Sequence, residues 1–418
     1  MIGPVLSEAL RWWYAGESVA LATVTATAGS APRPPGSVML VAPDGTATGS
    51  VSAGCVEAAV YQLCRNVLDT GEATLSRFGD IGVGGEVFGP GLTCGGEVEV
   101  YVERVDRAAV AEFDQLGARV RGGSPVAAVT CVAGPAASEG RWLLVDDGPG
   151  AQGTLGDAGI DAVAARAGRE LLAAGRTGLV RPVPGVSLLV RSFVPPPRMI
   201  IFGASDFTAA LSRQGRFLGY RVTVCDARPV FTTAQRFPDA AEVVVDWPHR
   251  YLGTEVDAGR VDRRTVLCVL THDPKFDVPL LRLALNLPVA YLGAMGSRRS
   301  TDDRVARLRA AGVPATALAR LSAPIGLDIG ARTPEETAVS VAAEIIAAGA
   351  GRPGGRLTAG TGSIHPASHP AAATLGRSAG GEAQREEEVH PVLESAQVPA
   401  GQLLDPVDPV PQGVDVHV

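Results

Sequence analysis

Aromatic residues make up only 5% of this 418-residue chain, and charged residues only 19%. Positive charge is scarce: 37 Lys and Arg stand against 44 Asp and Glu, a formal net charge of −7. That balance leaves no basic footprint for nucleic acid. No uninterrupted apolar run reaches bilayer length, and no charged-then-apolar leader follows Met1, so neither a membrane nor export is expected. The six cysteines (55, 64, 94, 131, 225 and 268) are scattered, form no C-x-x-C and have no histidine beside them. A zinc finger and a disulfide scaffold are both disfavoured, and reduced thiols in a cytoplasmic protein are expected.

What the chain has in excess is glycine, 51 residues of it. One glycine setting is Gly49-Ser-Val-Ser-Ala-Gly54-Cys55-Val-Glu57. It lies between an expected hairpin and an expected helix (56–68), whose Val56, Val60, Leu63 and Val67 recur at helical spacing. A thiol at a helix start, flanked by small residues, is favoured as the thiolate, the form that binds soft metals and carries sulfur. The alternative is a small buried cysteine that fills a gap. A second setting, Phe78 to Glu97, holds Cys94 before Gly95 and Gly96. It is too long and glycine-rich for a simple connector, and successive glycine N–H groups can cradle an anion. Its alternative is a loop with an incidental cysteine. Together Cys55 and Cys94 form a candidate thiol pair for a soft metal or for sulfur handling.

A chain of this length accommodates two or three domains. An amphipathic helix is expected over 5–20. Its Trp12, Trp13 and Tyr14 cannot all face one side. Strands are expected at Val19–Thr25 and Glu97–Val105, with a hairpin around Asp44-Gly45 between them. A weaker copy follows: Pro125–Cys131, Trp142–Asp146, a helix over Val163–Ala174 and a strand over Val186–Val194. Aligning Gly71 with Gly175 gives an offset of 104 residues. The counterpart of Cys55 is then Gly159, so the unit is built a second time without the thiol.

After Pro195-Pro-Pro197 the pattern becomes strand, turn, helix, strand, as in a Rossmann unit. Gly203 opens the turn, and Asp226, followed by Arg228, ends the second strand. Ser205 and Thr208 stand where a dinucleotide fingerprint has its second and third glycines. His272 and Asp273 follow a later strand, and Gly296, Ser297 and Arg298 follow the next, at the edge where open α/β sheets bind ligands. A locally bonded His272 and solvated arginines are the alternative. Thr333-Pro-Glu-Glu336 is a capping box that starts a helix reaching about Ala348.

The expected architecture is α/β. An N-terminal α+β domain (1–195) contains an internal pseudo-repeat, about 15–105 and 120–195. A Rossmann-like parallel α/β domain (196–350) and a disordered tail (351–418) follow.

Over most of 15–348 the chain resembles the XdhC/CoxI family, accessory proteins of molybdenum hydroxylases. In the N-terminal half the resemblance rests on Gly29-Ser-Ala-Pro-Arg33, on Gly49 through Glu57 and on Cys94-Gly-Gly-Glu97. It continues through Pro196-Pro-Arg198 to Gly203-Ala204, Thr271-His-Asp273, Gly293 to Arg299 and Ala323 to Gly330. Gly203-Ala-Ser-Asp206 departs from the family's Gly-Ala-Gly-His, and Ala53 stands where Gly is common. The resemblance implies a carrier, rather than a catalyst, that binds the molybdenum cofactor (molybdopterin or its dinucleotide form). It would assist sulfuration and hand the cofactor to an apo-hydroxylase of the xanthine or carbon monoxide dehydrogenase type. A cysteine desulfurase is an implied partner, and a homo-oligomer is left open. The implied cofactor-binding set is Cys55, Cys94, Gly54, Glu57, Gly95, Gly96, Gly203, Asp226, Arg228, His272, Asp273, Gly296, Ser297 and Arg298. An NAD(P)-dependent oxidoreductase using the Rossmann-like domain is the competing reading, made weaker by the altered glycine pattern.

Overall fold

The computed structural model describes residues 2–29, 31, 33–79 and 96–360. Cys94 and Gly95 lie outside the described residues, as does 361–418 of the expected tail. Within 351–360 the only regular element is a 3-10 turn at Leu357–Ala359.

The chain opens with α1 (Ile2–Ala15) and β1 (Val19–Ala28). The helix is shorter than its periodicity suggested, because Gly16 turns the backbone into the left-handed region (φ 84°). Its three aromatics divide as their spacing requires: Trp13 is buried, Trp12 half-buried and Tyr14 exposed. Then follow β2 (Val38–Val41), β3 (Ala47–Gly49), α2 (Glu57–Thr70), β4 (Thr74–Phe78) and β5 (Glu97–Val105). The second set is α3 (Phe113–Arg121), β6 (Val126–Ala133), β7 (Trp142–Val145), β8 (Ala151–Gly153), α4 (Ala158–Ala174), β9 (Gly178–Val183) and β10 (Val186–Phe193).

Both sets make antiparallel five-stranded sheets of the same order, β3-β2-β1-β5-β4 and β8-β7-β6-β10-β9. The strands alternate, so each sheet has two apolar faces. Ala20, Ala22 and Val24 of β1 pack beneath Val60, Cys64 and Val67 of α2. Val19 and Leu21 point the other way, joining α1, α3 and the inner face of the second sheet. The second sheet carries α4 on its outer face in the same manner. The two sheets thus pack face to face between two helices. A buried ion pair bridges them: Arg191 of β10 bonds Glu103 of β5, with both side chains under 5% exposed. Trp142 Nε1 donates to the other Glu103 oxygen at 2.9 Å, and its ring lies 4.1 Å beneath the Arg191 guanidinium.

The third sheet is parallel, β13-β12-β11-β14-β15. Its elements are β11 (Arg198–Phe202), α5 (Asp206–Phe217), β12 (Arg221–Asp226), β13 (Glu242–Val245), α6 (Pro248–Asp257), β14 (Val266–Val269), α7 (Pro274–Ala284) and β15 (Tyr291–Ala294), followed by α8 (Arg298–Ala310), α9 (Ala315–Leu318) and α10 (Pro334–Gly349). This is the Rossmann strand order, whose ligand edge lies beyond the carboxyl ends of the strands. Helices α6, α7 and α8 cover one face, and α5 and α10 the other. The capping box forms as expected: Glu336 N donates to Thr333 Oγ1 (3.2 Å) and Thr333 N to Glu336 Oε2 (3.1 Å).

Candidate functional site

The first candidate region is one edge of the first sheet. The carboxyl ends of β1, β3 and β4 and the amino ends of β2 and β5 all lie there, because neighbouring strands run antiparallel. The 50–56 loop starts from this edge. So do Gly79 and Gly96, the residues that bracket 80–95. The stem is braced two residues inward: Arg77 Nε and Thr25 Oγ1 each donate to the buried Glu99 carboxylate at 2.8 Å.

The loop itself is shaped by Glu57, the first residue of α2. One carboxylate oxygen accepts from Ser50 Oγ and Ser52 N, both at 2.8 Å. The other accepts from Gly54 N at 2.9 Å and from Ser52 Oγ. Burial works to raise the Glu57 pKa, but the Ser52 and Ser50 hydroxyls and the Ser52 N–H outweigh it and hold it at about 2. Glu57 is a loop-shaping carboxylate whose oxygens face the loop's own donors. Arg33 of the preceding loop donates to Ser52 O (3.4 Å), tying the two loops together.

On this frame sits Cys55. Cys64, Cys131, Cys225 and Cys268 are buried, and Cys55 is half-exposed, the one cysteine among the described residues that is not buried. Burial pushes the Cys64 thiol up to about 12 and raises those of Cys131, Cys225 and Cys268, so these four stay protonated and inert. Beside Cys55, Gly54 is exposed, and a Cβ placed there would meet no atom within 4 Å. Cys55 therefore stands half-exposed on a braced loop beside open main chain at Gly54, and it packs in part against the cluster beneath α2. Gly96 is buried at the foot of β5.

The second candidate region is the carboxyl edge of the parallel sheet. Gly203 has φ 115°. A Cβ there would come within 3.0–3.1 Å of the Leu270 and Thr271 backbone, so the first turn crosses β14 at a distance only glycine permits. Ser205, at the altered fingerprint position, caps α5. Thr208 Oγ1 donates to Gly203 O at 2.7 Å. Asp226 accepts from Ala204 N (2.9 Å) and from Arg228 Nε (2.9 Å) and Nη2 (2.7 Å). Burial opposes, but the Arg228 guanidinium and these N–H groups keep its pKa below the ordinary carboxylate range. In nicotinamide-binding folds this acid accepts from the ribose; here its acceptors are already engaged. Asp273 caps α7 and pairs with Lys275, at 3.0 Å in each case. His272 is exposed. Ser297 caps α8, accepting from Ser300 N at 3.1 Å.

His272 also lines a cleft of about 110 Å³ with Asp277, Ser300, Asp303, Arg304 and Arg307. Arg304 went unassigned from the sequence. It is buried, and its Nη2 and Nε bond Asp277 Oδ2 at 3.0 and 3.2 Å. Thr271 holds the other Asp277 oxygen. Burial raises the Asp277 pKa, while Thr271 and Arg304 pull it down; the net direction is up. The available signal was spacing: Ser300, Arg304 and Arg307 share one face of α8. Among the described residues no three His, Cys, Asp or Glu side chains gather into a metal site, and no helix is long and apolar enough to cross a membrane.

Paired sheet-and-helix units followed by a Rossmann-like domain define a two-part protein, with a half-exposed cysteine in the first part and a strand-edge cleft in the second. The XdhC and CoxI family pattern matches residues 12–79, and the XdhC Rossmann domain pattern matches 199–345. The chain belongs to the XdhC/CoxI family. It is 28% identical over 334 residues to a Bacillus subtilis protein named as a probable component of xanthine dehydrogenase, covering 79% of this chain and 93% of that one. It is 26% identical over 347 residues to the Escherichia coli "Molybdenum cofactor insertion chaperone PaoD", covering 82% and 86%. A crystal structure of a xanthine dehydrogenase from Bacillus halodurans superimposes with a TM-score of 0.58 at 23% identity, over 82% of this chain and 95% of that one. That last likeness is one of fold.

Proposed function

We propose that this protein carries the molybdenum cofactor as cargo, assists its sulfuration and delivers it to a molybdenum hydroxylase apo-enzyme of the xanthine or carbon monoxide dehydrogenase type. The carrying observation is Cys55, half-exposed on a carboxylate-braced loop, next to open backbone at Gly54. A thiolate is the soft ligand that a molybdenum centre accepts. The segment that contains Cys94 leaves from the same sheet edge, which makes position 94 the natural second thiol. The names of the Bacillus subtilis and Escherichia coli relatives support this role. A cysteine desulfurase is the proposed sulfur donor, and the cytoplasm the proposed compartment. Gly203, Asp226, Arg228, His272, Asp273 and the Gly296–Arg298 turn are the proposed holding surface for the cargo's phosphate or nucleotide end. The occupied Asp226 carboxylate speaks against a nicotinamide coenzyme on that edge.

The test is purification from cells that make molybdopterin, followed by measurement of bound pterin and molybdenum. Wild type should co-purify with cofactor and activate the apo-hydroxylase in vitro. Cys55→Ala should lose at least tenfold of both. Equal cofactor content in the two proteins would overturn the assignment of the thiol.

A further inference from the structure

The observation that reaches furthest is an orphaned donor. Arg304 is 6% exposed in its side chain. Its Nε and Nη2 are satisfied by Asp277, and Nη2 also by Met295 O at 2.9 Å. Its Nη1 is buried and has no partner. Native proteins rarely leave a buried guanidinium N–H without an acceptor, because doing so carries the full desolvation cost. Asp277 takes the other two nitrogens through Oδ2, and neither of its oxygens is bonded to Nη1. Nη1 lies against Gly296: a Cβ there would be 3.3 Å from Nη1 and 2.6 Å from Ser300 Oγ. Directly after Gly296, Ser297 begins a 13-residue helix, α8. A helix leaves its first N–H groups without internal acceptors, and those groups favour anions.

We propose that the cleft between α7 and α8 binds a phosphate group, cradled by Arg304 Nη1, the bare backbone of Gly296 and the first-turn N–H groups of α8. This rests on the carrier reading in one respect: the phosphate is that of the cargo. A tetrahedral phosphate suits donors converging from a guanidinium and a helix start. The space of about 110 Å³ admits it, since one water needs only roughly 10–15 Å³. His272 and Arg307 line the cleft as further donors, and Asp303 is a carboxylate on the same wall. The Arg304–Asp277 pair then acts as a positioning device. Asp277 grips two guanidinium nitrogens and leaves the third aimed at the ligand.

The experiment is a titration of the full chain with inorganic phosphate and with pyrophosphate, followed by calorimetry and phosphorus NMR. Wild type should bind both saturably. Gly296→Ala should weaken binding at least tenfold, because the methyl fills the cradle. The backbone at 296 does not need a left-handed conformation, and the Arg304–Asp277 pair stays intact, so this variant should fold. Arg304→Lys should weaken binding similarly; should it fail to fold, Gly296→Ala decides alone. Arg309→Ala removes one exposed charge from the far end of α8 and should bind as wild type does. No saturable binding by wild type, or equal losses in Gly296→Ala and Arg309→Ala, would overturn the site. Cofactor retention by Cys55→Ala reads the carrier function independently. Phosphate binding lost in Gly296→Ala with normal retention in Cys55→Ala upholds the anion site and removes the thiol carrier. Retention lost in Cys55→Ala without any phosphate binding by wild type removes the anion site alone.

Discussion

The two N-terminal sheet-and-helix units solve the same folding problem with different hardware. At an offset of 104 residues the parts coincide. Gly49 and Gly153 end the third strand of each unit with φ of 92° and 86°, and a side chain on either would strike the carbonyl of Val38 or Trp142. Gly71 and Gly175 end the helices as left-handed caps. Glu57 corresponds to Asp161, whose carboxylate likewise ties down the loop before its helix, through Thr154 Oγ1 (2.7 Å) and Leu155 N (2.6 Å). Two features separate the copies. The second helix begins at Ala158, so Gly159, the counterpart of Cys55, is helical; in the first copy Cys55 precedes the helix. Further on, Leu75 and Leu179 pair with Tyr101 and Leu189 and stand 104 apart, while Tyr101 and Leu189 stand 88 apart. The first copy therefore holds 16 extra residues between its last two strands, where the second needs only Pro184-Gly185. The lesson is that the unit folds without a cysteine ahead of its helix and without that insertion. Both are additions to one copy, at one edge, and this is what makes them candidates for function rather than scaffold.

The comparison breaks most severely where the copies depend on each other. Arg191→Leu leaves Glu103 buried without its cation, and should cost about 3–5 kcal/mol, with both sheets lost in one transition by chemical denaturation. A small effect would mean that the copies are independent. Next, replacing residues 79–96 by Pro-Gly, as in the second copy, should leave a folded protein by circular dichroism that retains no cofactor. Third comes the exchange of the thiol. Cys55→Ala should change stability by less than about 0.5 kcal/mol, so that any lost retention reflects chemistry, and Gly159→Cys should gain none. Fourth, Glu57→Gln should cost on the order of 1–2 kcal/mol at pH 7 from the lost charge-assisted bonds. The Glu57 carboxyl is held at about 2 against an ordinary 4.5. Its contribution is therefore complete above about 4.5 and lost as pH falls from there toward 2. The stability gap between wild type and Glu57→Gln should close over that window; a gap independent of pH would point to packing instead.

The legibility of the fold followed local signal strength. Glu97–Val105 stands where its alternation placed it. β4 (Thr74–Phe78), α3 (Phe113–Arg121) and β9 (Gly178–Val183) went unread. β4 and β9 are edge strands whose residues are half-exposed or exposed along much of their length, so their hydrophobic period is faint. α3 shows only three buried residues among its nine. At the first candidate site, Cys55 was legible as a cysteine before a helix, where it is half-exposed; the resemblance implied Glu57 as a ligand contact, whereas both its oxygens accept from the loop's own Ser50, Ser52 and Gly54. Asp226 was likewise legible as a strand-end acid. That Arg228 and Ala204 N saturate it was not.

The sequence by itself determined which stretches alternate and which recur at helical spacing. It also determined that the unit occurs twice, that the Rossmann-like strands follow a proline joint, and that one copy alone carries a cysteine at its helix start. These are properties of neighbours along the chain, and they survive without knowledge of what packs on what. The tertiary structure alone decided which carboxylates are already engaged, that Glu103 and Arg191, 88 residues apart, close the sandwich, and that Arg304 and Asp277, 27 apart, meet in a cleft with one nitrogen to spare. Hydrogen-bond satisfaction and burial depend on distance in space, and chain separation encodes that only once the sheets are assembled.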